Sequence, residues 1–270
     1  MQTSEISNLI VAKIQANFER VQYEWANPNQ TQTRHFKIDG LLPENIAEDV
    51  YNHFPKEPDL WFKRKSFREQ KKTFAKLEKL NALIENVTDA FHQPAVVDII
   101  SKITKITNLE PDPKLYAGGI SMMEFGDFLN PHIDNSHDKD RERYRRLNLL
   151  YYVTPNWDPK NGGNLELWDN SVKTPQQIDA LFNRLVVMET NRESWHSVNP
   201  VTASDRRCCV SNYYFSPSSP ELVNYYHVTS FLGRPNQTIQ RAYGRLDNAL
   251  RQLVSRALKI SRGRNLGRSN

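Results

Sequence analysis

Between Pro113 and Ser216 the chain is a succession of short apolar and aromatic runs separated by turn-forming residues. Leu115–Phe125 carries the bend signal Gly118-Gly119, and Arg146–Val153 is apolar and aromatic enough to be a buried strand. The turn Asn161-Gly162-Gly163 precedes an alternating run, Asn164–Trp168. Phe182–Glu189, Trp195–Val201 and Arg206–Phe215 complete the series. Many short strands bounded by turns restrict the centre of the chain to a sandwich, a barrel or a jelly roll.

The flanks have a different period. Ile6, Ile10, Ile14, Phe18 and Val21 recur at helical spacing, which predicts one amphipathic helix over residues 5–24. A strand is expected at 31–39 and a helix from Pro43-Glu44 to Phe54, because proline and acidic residues suit a helix start. Two more helices are expected at 77–91 and 95–106, divided at Pro94. Residues 56–75 are dense in charge, and Trp61, Phe62 and Phe67 are interleaved with the basic residues. They are read as a mobile loop with one solvated face, against a nucleic-acid surface or a flap over a site. Near the end, Ile239, Tyr243, Leu246, Leu250, Leu253, Ala257 and Ile260 recur every three or four positions. They predict a helix packed on the outside of the sheet or against a partner subunit. The organisation expected is α+β with a mainly β core, in one domain spanning 1–270. Its parts are a mostly helical segment (1–112), the strand-rich core (113–216), a helical extension (217–262) and a basic tail (263–270).

Composition excludes some classes of function. The formal charge of +5 is concentrated near the C-terminus, where Arg251, Arg256, Lys259, Arg262, Arg264 and Arg268 follow one another without an acid. Such a tail is read as solvated rather than as a nucleic-acid footprint. Cys208 and Cys209 are the only cysteines and are adjacent, so a disulfide framework is excluded. The first residues lack a basic segment followed by an apolar run, and no apolar run reaches membrane-spanning length. A cytoplasmic protein without signal peptide or membrane span is expected.

The chemistry-bearing residues lie in Asn130-Pro-His-Ile-Asp-Asn135. On an extended strand, positions i and i+2 share a face, so His132 and Asp134 can reach one point. His196 follows sixty-two residues after Asp134. Two histidines and a carboxylate form a facial triad, which holds non-haem Fe(II) and leaves coordination positions open. Arg206 and Arg207 begin the next strand, where alternation turns one inward and the other outward. A buried arginine needs an anionic partner, and a co-substrate carboxylate would meet that need. His137 is a weaker candidate ligand.

Residues 115–216 resemble the catalytic core of the Fe(II)/2-oxoglutarate-dependent dioxygenases, in particular the prolyl 4-hydroxylase-like branch. The resemblance rests on Pro131–Asn135, Leu150–Tyr152 with Asn156-Trp-Asp158, Asn161–Leu167, Asn183–Val187, Trp195–Val198 and Arg206–Phe215. Phe36–Pro43 extends it to about residues 34–216. It implies a double-stranded β-helix (jelly roll) flanked by N-terminal helices and a C-terminal helix, with His132, Asp134 and His196 as iron ligands. Arg207 and Tyr152 would bind the distal carboxylate of 2-oxoglutarate. Phe125 stands near where a second such tyrosine often lies, and it cannot donate a hydrogen bond. Arg145, Arg146 and Asn135 would lie near the substrate mouth. The implied reaction consumes O2 and 2-oxoglutarate, releases succinate and CO2, and hydroxylates an unactivated C–H. Related halogenases lack the carboxylate, so Asp134 argues for hydroxylation.

Two other classes compete. A divalent-metal hydrolase could use the same three ligands but has no task for Arg207. A non-catalytic metal-containing module could bind RNA or an acidic partner through residues 61–72 and the tail. The substrate expected is a small molecule or peptide, possibly acidic, with nucleic acid disfavoured and a homodimer allowed.

Overall fold

The computed structural model describes residues 1–116, 118–221 and 223–258. Ile260 and the basic tail therefore lie outside the described residues. The first part holds α1 (Thr3–Gln15), α2 (Phe18–Ala26), β1 (His35–Asp39) and α3 (Glu44–Asn52). It continues with β2 (Phe62–Lys65), β3 (Glu69–Phe74), α4 (Ala82–Ala90), α5 (Pro94–Thr104) and β4 (Glu110–Pro111). The central strands are β5 (Gly119–Met123), β6 (Phe128–Ile133), β7 (Tyr144–Tyr152), β8 (Leu165–Trp168) and β9 (Pro175–Ile178). They are followed by β10 (Arg184–Glu189), β11 (His196–Val198) and β12 (Arg207–Ser216). Beyond them lie β13 (Ser230–Phe231) and α6 (Thr238–Leu258).

The strands pair antiparallel in the order β1-β10-β7-β12-β5-β3-β6-β11-β8-β9, with β2 added to β3, β4 to β12 and β13 to β6. β3 makes the sheet curl. Its Lys72–Phe74 pair with β5 while Glu69 and Gln70 pair with β6, so one strand carries the ladder from one wall to the other. The result is the expected jelly roll with helices on its outer face. Gly119 permits the seam: its φ is +121°, and a Cβ there would stand 2.4 Å from the Phe74 carbonyl oxygen.

Three sequence expectations need correction. The first helix is two, because Asn17 turns its amide Nδ2 back to the Lys13 carbonyl at 2.9 Å and competes with the backbone ladder. Residues 56–75 are not a loop: Ser66 organises a tight turn between β2 and β3, and that hairpin closes the barrel. The described residues of 217–237 are not helical, and they add β13 to the edge of β6. Pro94 behaves as anticipated and sits in the first turn of α5.

Strand alternation creates two cores from one sheet. Leu147, Leu149, Tyr151, Leu185, Val187, Cys208 and Val210 pack outward, in one cluster with Ile6, Ile10 and Ile14 of α1 and with α4 and α5. Tyr152, Val186, Met188 and Cys209 point into the barrel with Leu165 and Leu167. Both faces of β7, β10 and β12 are therefore buried, which accounts for their nearly unbroken apolar runs. The two cysteines face opposite sides, and neither is oxidised. Burial pushes the Cys208 thiol up to about 12 and raises that of Cys209 as well. Both thiols should be silent to a disulfide reagent at mildly alkaline pH in the native protein and react stoichiometrically once it is denatured. A fast native reaction at either would contradict this packing.

Candidate metal and co-substrate site

β6 and β11 are adjacent and antiparallel, and their register sets His196 directly opposite His132. The two rings lie 4.0 Å apart between centroids. Asp134 follows one residue after β6 ends. Its carboxylate oxygens stand 3.7 Å from His132 Nε2 and 3.9 Å from His196 Nε2, too far for hydrogen bonds. One donor atom from each of the three lies within 4.8 Å of the others.

The imidazoles are oriented by backbone carbonyls. His132 Nδ1 is 3.0 Å from the Asn130 oxygen, and His196 Nδ1 is 2.9 Å from that of Ser194. A carbonyl can only accept, so each Nδ1 carries the proton and each Nε2 turns a bare lone pair towards the shared point. Burial is the main cause pulling His132 down to about 3, and it also lowers His196, so both rings are neutral near pH 7. Burial alone would raise the Asp134 carboxyl, but Arg145, the two histidines and Lys71 together hold it well below the usual carboxylate range. An ionised carboxylate and two neutral imidazoles make the donor set of a divalent transition-metal ion. Asp134 Oδ2 is buried and accepts no hydrogen bond: Arg145 Nη1 comes within 3.1 Å but misses hydrogen-bonding alignment. That orphaned oxygen fits a site built for a cation.

Arg145 belongs to this centre and, with Asn135, also lines a cavity beneath the β2–β3 hairpin. Its Nη2 donates to Asn135 Oδ1 at 2.9 Å, and its guanidinium lies over Tyr213, 4.3 Å from the ring centroid. A bulge puts it there. Tyr214 pairs with Leu147 and Phe215 with Arg145, so Arg146 is the extra residue and the alternation of β7 changes phase. Arg146 in consequence leaves the site and donates to the Ser218 carbonyl. The other anticipated residues divide similarly. Phe125 is exposed on the turn between β5 and β6. His137 is held by Ser136 and packs on Tyr144, outside the triad.

A cavity of about 360 Å³ is lined by the three triad residues and by inward-facing residues of the barrel. Arg207 and Tyr152 both line it, as do Asn148, Ser211 and Tyr213. Arg207 is buried, and its guanidinium lies 5.3 Å from the centroid of the Tyr152 ring. Its guanidinium has weak sulfur partners, Met123 Sδ at 2.8 Å from Nη2 and the Cys209 thiol, and its Nε is unsatisfied. No carboxylate lies within 4 Å of it among the described residues. Gly163 makes room for it, since a Cβ there would meet Arg207 Cδ at 2.8 Å. Arg206 points the other way, to the Pro55 carbonyl and the Tyr51 ring. A second cavity, about 390 Å³, opens on the other side of the triad between the β2–β3 hairpin and residues 228–231. Phe62, Arg64, Lys71, Tyr116 and Tyr213 border both.

The sequence profile of the 2OG-Fe(II) oxygenase superfamily matches residues 118–215. Over those residues the chain resembles that superfamily. The chain is 24% identical over 205 residues, 74% of its length, to the prolyl 3-hydroxylase OGFOD1 of Mus musculus. A stretch of 71 residues is 38% identical to the hypoxia-inducible factor prolyl hydroxylase of Caenorhabditis elegans, 26% of this chain. The chain spans 34% of the length of the first relative and 9% of the second. Among solved structures, a prolyl 4-hydroxylase from Phytophthora capsici shares the fold with a TM-score of 0.52 and 16% identity, over 93% of this chain and 77% of that one. The non-haem α-ketoglutarate-dependent epimerase SnoN of nogalamycin biosynthesis does so with a TM-score of 0.51 and 10% identity, over 82% and 87%. The superfamily's iron and 2-oxoglutarate suit the donor set and the unpaired Arg207.

Arg145 holds the Asp134 carboxylate in its ionised form without being one of the three clustered donors. Arg145→Gln should weaken binding of a divalent ion such as Co(II) about 10- to 100-fold by calorimetry. Unchanged affinity would show that Asp134 needs no such partner.

Proposed function

We propose that the protein is an Fe(II)- and 2-oxoglutarate-dependent dioxygenase that hydroxylates a peptidyl residue or a small molecule. The observation that carries this reading is Arg207, a buried guanidinium without a carboxylate partner that lines the same cavity as the triad. Enclosing such a charge costs several kcal/mol unless an anion meets it. A dicarboxylate long enough to reach from Arg207 to a metal fits both. The hydrolase reading gives Arg207 no task.

His132, Asp134 and His196 would hold the iron, and Arg207 and Tyr152 would receive the distal carboxylate of 2-oxoglutarate. Burial raises the Tyr152 phenol, which keeps it protonated and able to donate. When bound, iron and 2-oxoglutarate supply the oxidising chemistry, in which O2 is consumed, succinate and CO2 leave, and one oxygen atom enters a substrate C–H. The chain's own contribution is positional. Asn130 and Ser194 fix both imidazoles in the ligating tautomer, Arg145 keeps Asp134 ionised, and Val186, Met188 and Leu165 keep the barrel interior dry.

Substrate would reach the triad through the cavity beneath the β2–β3 hairpin, so these residues act as a roof, the third of the roles considered for them. The names of both curated relatives favour a prolyl residue as the target. Acidity of the substrate has less support, because Arg145 is met by Asp134, Arg146 turns away to Ser218, and Arg64 and Lys71 both pair with Glu69. A reducing, cytoplasmic setting belongs to the same proposal, supported by the free thiols of Cys208 and Cys209.

The test is binding and turnover of 2-oxoglutarate. The protein loaded with Fe(II) should convert 2-oxoglutarate to succinate with O2 uptake. Arg207→Ala should weaken 2-oxoglutarate binding to the metal-loaded protein on the order of 100-fold, consistent with loss of a charge-assisted bidentate pair. Arg207→Lys should recover part of it. Full affinity in Arg207→Ala would remove the basis of the assignment.

A further inference from the structure

Surface helices ordinarily bury their apolar stripe and expose their polar face. α6 does the reverse. Ile239, Tyr243, Leu246, Leu250 and Leu253 are 80, 52, 74, 63 and 66% exposed. The opposite face is polar and docked. Asn248 clamps both backbone groups of Phe231, at 3.0 and 2.8 Å, and Gln252 donates to the Val228 carbonyl at 3.0 Å. Arg241 donates to the carbonyls of Val172 and Gly233, each at 3.0 Å, and Asp247 pairs with Arg68 of the hairpin. Gly244 allows the close approach, since a Cβ would stand 2.7 Å from the Phe231 carbonyl oxygen. The helix is thus fixed in place with its stripe outward, and Phe67, itself exposed, extends the patch by meeting Tyr243 edge to face, ring centroids 5.1 Å apart.

We propose that this stripe is a homodimer interface, in which α6 pairs antiparallel with α6 of a second copy of the chain. The spacing from 239 to 253 is four, three, four, three, the 3.5-residue repeat of a seam between two helices. The stripe is also close to palindromic about Leu246. A two-fold axis there sets Ile239 against Leu253, Tyr243 against Ala249, Leu250 against Ala242 and Leu246 against itself. Such self-complementarity is what an isologous contact between identical surfaces requires. The small, exposed Ala242 and Ala249 on one edge leave room for a second helix. The acid on the other edge, Asp247, is already met by Arg68 and Arg251. Five side chains this exposed leave on the order of 600 Å² per chain to be covered, so the pair would hide about 1,200 Å², at the lower bound of a specific interface. An anionic membrane is the weaker occupant. It calls for several basic residues beside the stripe, but among the side chains described on α6 Arg241 is turned to the docked face and Arg251 is paired with Asp247, which leaves Arg245 exposed there.

Sedimentation of the full chain at micromolar concentration should give twice the monomer mass. Leu246→Glu should weaken association on the order of 30-fold or more, as for a residue central to an interface, with metal and 2-oxoglutarate binding unchanged. Leu246→Cys tests the arrangement without disturbing the fold, because Cys208 and Cys209 are buried. Mild oxidation should link it to its counterpart across the axis, and Leu250→Cys should not self-link. A monomeric wild type, or association of undiminished strength in Leu246→Glu, overturns the proposal. Self-linking at both positions overturns the antiparallel arrangement. Stripe-dependent binding of a monomer to vesicles containing phosphatidylserine assigns the surface to a membrane instead.

Discussion

Each ion enclosed in this barrel carries a desolvation cost of several kcal/mol, and the interior is organised by how that cost is offset. Asp134 is met by Arg145. His132 and His196 avoid the cost by remaining neutral. Arg207 has no counter-ion among the described residues, so Asp134, Arg145 and Arg207 leave the interior with one net positive charge. A divalent ion alone would raise that to three, and a dicarboxylate arriving with it returns it to one. The site is therefore electrostatically suited to the pair more than to the metal alone. The same arithmetic explains why the two buried arginines cannot exchange roles. One keeps a ligand charged, and the other keeps an anion site open.

Much of this was legible because antiparallel strands alternate. Cys208-Cys209 and Arg206-Arg207 were expected to split between the two faces of one strand, and they do. The ligand triad was legible for the same reason, together with the spacing that lets β11 lie beside β6. Arg145-Arg146 has the same vicinal form at the start of β7 yet obeys the opposite phase. Counting inward from Leu147, Leu149 and Tyr151 would put Arg145 among the helices and Arg146 in the barrel. The bulge at Arg146 reverses this. A bulge is a property of two strands and their register, and a single stretch of sequence does not display it.

The β2–β3 hairpin was obscured by a different circumstance. Lys63 and Lys65 face solvent, and Arg64, Lys71 and Thr73 face the wide mouth of the cavity, so neither side of the hairpin needs to be apolar. Strand periodicity is visible only where one face is dry. Its closure of the barrel is visible instead in the ladder it makes with β5 and β6.

The inverted orientation of α6 follows from the metal side of the barrel. Phe231 stacks on His132 with ring centroids 5.2 Å apart and planes 17° from parallel. To do so it must lie on β13, whose two residues leave the sheet edge with backbone groups still to be paired. Asn248 satisfies both groups of Phe231, and Gln252 does the same for Val228. These amides sit on one face of α6 with Gly244, so that face must turn inward to complete the edge. The apolar residues, at the remaining positions, are then obliged to face away. The exposed stripe is thus the other side of the constraint that packs a ring against His132. A second helix laid over it would brace α6, and through Asp247 and Arg68 the hairpin above the same triad.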